Sequence, residues 1–60
     1  MIRINAEMTD EQAWALAQFL KRVGWSEWRQ NAVDDAEAAL MRAGCDVLTR
    51  ALADAGISPR

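Results

Sequence analysis

A chain of 60 residues with one cysteine and no histidine has few ways to stabilise a fold. The single thiol, Cys45, cannot form an internal disulfide, and a zinc site needs more cysteine or histidine ligands than the sequence contains. A domain of this length buries only about 60% of the surface that its unfolded chain exposes, so its stability is marginal. We therefore expect self-association, most simply as a homodimer, to complete the fold.

The start of the first helix is marked by the segment TDEQ, residues 9–12. It matches a capping box, in which Thr9 and Gln12 exchange hydrogen bonds between side chain and backbone. Helix 1 is predicted over about residues 10–23. At about 100° per residue, one apolar arc of this helix is expected to face the core. That arc comprises Ala13, Leu16, Ala17, Phe19, Leu20 and Val23.

Two glycines predict the ends of helices. Gly24 and Gly56 each stand where a residue in the left-handed conformation closes a helix. After the first glycine, Trp25 is expected to fold back on Leu20, the contact that this type of helix end favours. After the second glycine, Ile57 is expected to fold back in the same way.

The second helix is predicted over about residues 32–55, after a turn at 24–31. We prefer Asn31 over Ser26 as its N-cap. Gly44 lies inside the helical pattern and costs about 1 kcal/mol relative to alanine, so it either permits a close helix approach or marks a break. We expect a continuous helix. Its core stripe is predicted to comprise Ala36, Leu40, Ala43, Val47 and Ala51, with Met41, Leu48 and Ala55 beside it.

The first eight residues alternate between apolar and polar side chains, which is typical of a strand. Nothing else in the chain is predicted to pair with them. They form either a loose extended arm or an intermolecular strand with the same segment of a second protomer. The prediction is thus one all-α domain, a hairpin of two helices with an arm at 1–8 and a tail at 56–60. Two such hairpins would dimerise into a four-helix arrangement.

Catalysis is not expected from this composition. The chain has no histidine, no tyrosine and no glycine-rich phosphate loop, and Cys45 has no imidazole to activate it. We expect no enzyme activity, no cofactor, no bound metal and no small-molecule substrate. A net charge of −2 gives no general attraction to nucleic acid. Without a long apolar segment or a signal sequence, a cytoplasmic protein with no membrane contact is expected.

Two tryptophans fall outside the predicted apolar stripes. Trp14 lies on the polar side of helix 1, and Trp28 lies in the predicted turn. Either they complete a thin core or they line a binding surface, where tryptophan is a frequent hot spot. The carboxylates of Asp34, Asp35 and Glu37 have two interpretations. In the simpler one they stabilise the start of a helix, and in the other they form an acidic patch that a partner recognises. The predicted partner-binding set comprises Trp14, Trp28, Arg29, Asp34, Asp35 and Glu37.

A short strand followed by two helices resembles the ribbon–helix–helix repressors over roughly residues 2–40. In that family, two strands pair in a dimer and enter the DNA major groove. The resemblance implies that Arg3 and Asn5, with Glu7 beside them, face the bases. The segment SEWRQNAV is more polar than the usual start of the second helix, and the chain is acidic, which are departures from the family.

The segments AWALAQFLKRVG, DDAEA and ALADAGISPR are similar to small uncharacterised helical proteins of proteobacterial prophages and integrative elements. This resemblance implies a context, since mobile elements often encode short acidic proteins that block host machinery. The expected function is non-catalytic binding to a host protein or complex, including anti-defence inhibition. The alternative is a dimeric DNA-binding repressor.

Overall fold

The computed structural model describes all 60 residues, and every regular element in it is helical. Helix α1 spans Asp10–Arg22, α2 spans Trp25–Gln30 and α3 spans Asp35–Asp54. The prediction of an all-α fold with two long helices is confirmed. The six-residue helix α2 was not predicted and occupies most of the segment expected to be a turn. Residues 1–9 contain no strand and are exposed.

The capping box at the start of α1 is present as predicted. The backbone N–H of Gln12 donates to Thr9 Oγ1 at 3.1 Å, and the backbone N–H of Thr9 donates to Gln12 Oε1 at 2.9 Å. Asp10 and Glu11 occupy the first turn, where the helix dipole favours negative charge. The start of α1 is therefore encoded locally.

The predicted left-handed helix end at Gly24 is wrong. Gly24 is extended, with φ −133° and ψ −172°, and it is the residue that precedes α2. Its N–H donates to Glu27 Oε1 at 3.3 Å, so the carboxylate three residues onward supports a new helix start. Trp25 begins α2 and is 45% exposed, and its N–H does not donate to the Leu20 carbonyl, so the Schellman end on which the predicted Trp25–Leu20 contact rested is absent.

The predicted helix end at Gly56 is confirmed. This glycine has φ 91°, and its N–H donates to the Ala53 carbonyl at 2.9 Å. The N–H of Ile57 donates to the Leu52 carbonyl at 2.8 Å, which completes the Schellman pattern. Ile57 packs against the apolar cluster that contains Leu52. The tail thereby contributes to the core.

Helix α3 begins later than predicted, because Asp34 and not Asn31 is its N-cap. The backbone N–H of Glu37 donates to Asp34 Oδ1 at 2.9 Å. Asn31 instead closes α2, where its side-chain amide donates to the Glu27 carbonyl at 2.8 Å. The helix continues through Gly44 without a break, as expected.

The core is thin: only four residues are buried, and three of them are alanines. Ala13 and Ala17 of α1 pack with Leu52 near the end of α3, which joins the two long helices. Half-buried Leu16, Leu20 and Ile57 surround this cluster. The fourth buried residue, Ala38, lies in the first half of α3, and α2 packs on α3 as well.

Helix α3 turns a different face inward from the one predicted. It buries Ala38 and Leu52 and half-buries Met41 and Cys45. Apolar residues surround most of this helix, and α1 and α2 cover only one side of it. The predicted core stripe of Ala36, Leu40, Ala43, Val47 and Ala51 is exposed. Together with Gly44, which is also exposed, these residues are named the outer face of α3.

Candidate protein-binding surface

An ion pair joins α2 to the first turn of α3. Arg29 Nε lies 2.7 Å from Asp35 Oδ1, and Arg29 Nη1 donates to the Ala32 carbonyl at 3.1 Å. The side chains are 43% and 82% exposed, so solvent screens much of the attraction. The pair positions the guanidinium at the surface beside the carboxylates that begin α3.

Those carboxylates all take part in local structure. Asp34 caps α3, and Glu37 Oε1 accepts a hydrogen bond from the Val33 N–H at 2.9 Å. Asp35 is held by Arg29. In the structure, each of these carboxylates therefore has the simpler of the two predicted roles, which is to stabilise the start of α3. Asp34 and Asp35 are exposed and Glu37 is half-buried, so three carboxylates and one guanidinium lie at this surface.

Trp28 lies on α2 beside Arg29 and is half-buried. Its Nε1 is buried without a hydrogen-bond acceptor. A buried donor that lacks an acceptor is destabilising by about 1–3 kcal/mol. The indole thus contributes to packing within the chain, and only part of the ring is available to a partner. We call the group Trp28, Arg29, Asp34, Asp35 and Glu37 the α2–α3 corner.

The sixth predicted residue, Trp14, is separate from this corner. It lies on α1 and is 43% exposed. Helix α1 packs on α3 and does not pack on α2, so the fold divides the predicted residues between two surfaces.

A groove of about 250 Å³ runs beside Phe19 and was not predicted. Phe19 was expected in the core, but it is 60% exposed. The buried arc of α1 centres on Ala13 and Leu20, and Phe19 is about 100° away from its neighbour Leu20 around the helix. A narrower predicted arc would have excluded it. The residues that line the groove, named here the Phe19 groove, are Ala15, Phe19, Arg22, Val23 and Glu27.

The Phe19 groove has an apolar floor and one charge of each sign. On the acidic side, the Ser26 hydroxyl donates to Glu27 Oε2 at 2.9 Å. This bond, together with the backbone N–H groups of Glu27 and Gly24, holds the pKa of Glu27 below its ordinary value of 4.5. Glu27 is therefore ionised at neutral pH and faces the same groove as Arg22.

The arm presents the residues of the alternative DNA-reading hypothesis. Arg3 and Asn5 are exposed, and so are Ile2 and Ile4, at 91% and 84%. No cluster of acidic, cysteine or histidine side chains in the chain is arranged to hold a metal ion. None of the three helices combines the length and the apolar character that crossing a bilayer requires.

No curated protein and no solved structure is significantly similar to the chain. One family does match it, and the match extends over residues 1–60, which includes the arm, all three helices and the tail. The chain therefore belongs to DUF7706, a family of unknown function.

Proposed function

We propose that this protein is a non-catalytic protein-binding module of a prophage or integrative element, and that it inhibits a host complex such as a defence system. The observation that carries the proposal is the exposure of large aromatic side chains. Trp14, Phe19 and Trp25 are 43%, 60% and 45% exposed. Aromatic residues supply much of the binding energy at protein interfaces, and exposed apolar surface of this kind marks interaction sites.

The charge of the α2–α3 corner supports a basic partner surface. Three carboxylates and one guanidinium lie close together there, and half-buried Trp28 precedes Arg29 in α2. Complementary charge raises the association rate and helps to select the partner, whereas an apolar anchor contributes more of the affinity. The corner and the exposed aromatic residues of α1 would thus act in different ways on the same binding event.

The mobile-element context rests on sequence. The segments AWALAQFLKRVG and ALADAGISPR, which are similar to those of small prophage proteins, fall in α1 with the residues after it and at the end of α3. Short acidic inhibitors from such elements act by occupying a surface of the host protein, which requires no catalytic residues.

Quantitative affinity capture from host lysate tests the proposal. The wild type is compared with Trp14→Ala/Trp28→Ala and with Arg42→Ala, a control on the exposed polar side of α3. Because Trp28 is half-buried, circular dichroism must first show that each variant is folded. The same host proteins are expected with wild type and Arg42→Ala and are expected to be lost with the tryptophan variant. If all three proteins capture the same host proteins equally well, Trp14 and Trp28 are not the binding anchors.

The DNA-binding alternative is favoured by one observation, the exposure of Arg3 and Asn5 on an arm where Ile2 and Ile4 are 91% and 84% exposed. A mobility-shift assay with the promoter of the encoding element separates the two proposals. Sequence-specific retention that is lost in Arg3→Ala would support the repressor and contradict the protein-binding function.

A further inference from the structure

We infer that a second copy of this chain covers the outer face of α3, with Gly44 at the point where the two α3 helices cross. This surface is distinct from the α2–α3 corner and from the Phe19 groove. The inference concerns self-association and does not depend on the proposed host partner.

The outer face of α3 has the composition of an interface. Leu40 is 72% exposed and Val47 is 65% exposed, and the alanines between and beside them are exposed as well. Leu40, Gly44, Val47 and Ala51 follow one another at intervals of four, three and four residues, which places them along one seam of the helix. No charged residue lies on the seam between Leu40 and Ala51, and the same spacing places Glu37 and Asp54 at its two ends.

The total exposed area indicates how much surface is uncovered. The chain exposes 5188 Å², whereas a compact monomer of this mass exposes roughly 3,900 Å². The excess is about 1,300 Å², and a stable complex covers about 800 Å² on each partner. The Cα radius of gyration, 12.3 Å, likewise exceeds the roughly 10 Å of a compact chain of this length. The excess is shared between the extended arm and the exposed apolar side chains of α3, such as Leu40 and Val47.

Gly44 has no function within the single chain. A Cβ atom at this position would meet nothing within 4 Å, so neither α1 nor α2 requires a glycine there. Glycine also weakens a helix relative to alanine. Between Leu40 and Val47 it leaves a gap in the apolar seam, into which a side chain or the backbone of another helix fits. A twofold axis at this gap brings both glycines together and permits a close crossing of the two helices.

A second copy is the occupant that fits the stability of the chain. The buried residues are three alanines and one leucine, which is little apolar surface for 60 residues. Because the core is so small, the outer face of α3 has to be covered whenever the chain is folded. An identical chain is present wherever this chain is made, and obligate dimers often have no stable folded monomer.

Sedimentation equilibrium on matched variants of the full chain tests this inference. Leu40→Lys/Val47→Lys adds two lysines to the outer face of α3, and Ala39→Lys/Ala53→Lys adds two lysines to exposed positions elsewhere on the same helix. Wild type and the second variant are expected to have twice the mass of the chain at micromolar concentration, and the first variant is expected to dissociate or unfold. A monomeric, folded wild type across the micromolar range overturns the inference, and so does equal dimerisation of the two variants.

A second variant locates the crossing point without adding charge. In the isolated chain, Gly44→Gln should only strengthen α3, because its side chain enters open space. At a close helix crossing, the same side chain overpacks the contact, and the dimer dissociation constant should rise about tenfold or more. An unchanged dissociation constant, with a more stable helix, would exclude Gly44 from the interface.

Discussion

Arg29 Nε and Asp35 Oδ1 lie 2.7 Å apart, and this contact joins the short helix α2 to the first turn of α3. Both residues belong to the predicted partner-binding set, and they bind each other across a turn that the same guanidinium also closes through the Ala32 carbonyl. A partner that engages either residue must therefore compete with, or build on, an existing ion pair.

Arg29→Gln is expected to lower the free energy of unfolding by up to about 1 kcal/mol, because the ion pair is exposed and screened. A double-mutant cycle with Asp35→Asn, measured by urea unfolding, isolates the pair from the hydrogen bond to Ala32. The coupling should shrink as salt concentration rises. A coupling energy that salt leaves unchanged would mean that the two side chains do not interact as charges.

Asp34→Ala is expected to destabilise the protein by about 1 kcal/mol, because it removes the side-chain acceptor for the Glu37 N–H at the start of α3. The comparison is Asn31→Ala, which removes a hydrogen bond at the end of α2. Amide hydrogen exchange resolves the two effects: the first turn of α3 should lose protection in Asp34→Ala and keep it in Asn31→Ala. Loss of that protection in Asn31→Ala alone would identify Asn31 as the cap.

The two turn glycines should respond oppositely to alanine. Gly56→Ala is expected to cost about 1–2 kcal/mol, because φ at this position is 91° and a Cβ is strained there. Gly24→Ala is expected to be neutral or stabilising, because its backbone is extended and its Cβ would meet nothing within 4 Å. Thermal unfolding of both variants decides the matter, and a destabilised Gly24→Ala would contradict the extended geometry.

Acid should weaken the start of α2 through Glu27. Hydrogen bonds lower the pKa of this carboxyl in the folded chain, so its contribution to stability is complete above about the ordinary value of 4.5. The contribution is lost as pH falls through the lower folded-state pKa. Glu27→Gln removes the titrating carboxyl at this position and leaves every other carboxyl of the chain in place. The stability difference between wild type and Glu27→Gln, measured from pH 7 to pH 2, should therefore narrow on acidification, and a constant difference would contradict the pKa shift.

Leu52→Ala and Leu40→Ala should differ in how strongly their effects on stability depend on protein concentration. Leu52 is in the core of the hairpin, so its truncation should cost about 2 kcal/mol or more. Leu40 is 72% exposed in the single chain, so its truncation should matter only if a second copy covers it. With dimerisation through α3, the effect of Leu40→Ala appears as a melting temperature that varies more steeply with dilution than in wild type. Identical melting curves for Leu40→Ala and wild type at all concentrations would argue against that dimer.

The candidate binding surface could be predicted only in part from the sequence. Trp14 could be placed outside the core because it lies opposite the apolar arc of its own helix, and it is 43% exposed. Phe19 was missed because the predicted apolar arc of α1 was too wide. The exposure of Trp25 was missed because Gly24 is extended and precedes a second helix that was not predicted. The grouping of Arg29 with Asp35 likewise depends on the turn between two helices.

The sequence by itself determined the helical class, the capping box at Thr9, the end of α3 at Gly56 and the continuity of the helix through Gly44. These features depend on interactions between residues at most five positions apart, so the local sequence suffices. Only the tertiary structure decided that α3 turns Ala38, Met41, Cys45 and Leu52 inward. The physical reason is that α3 is apolar on two sides, and which side is buried depends on where α1 and α2 pack.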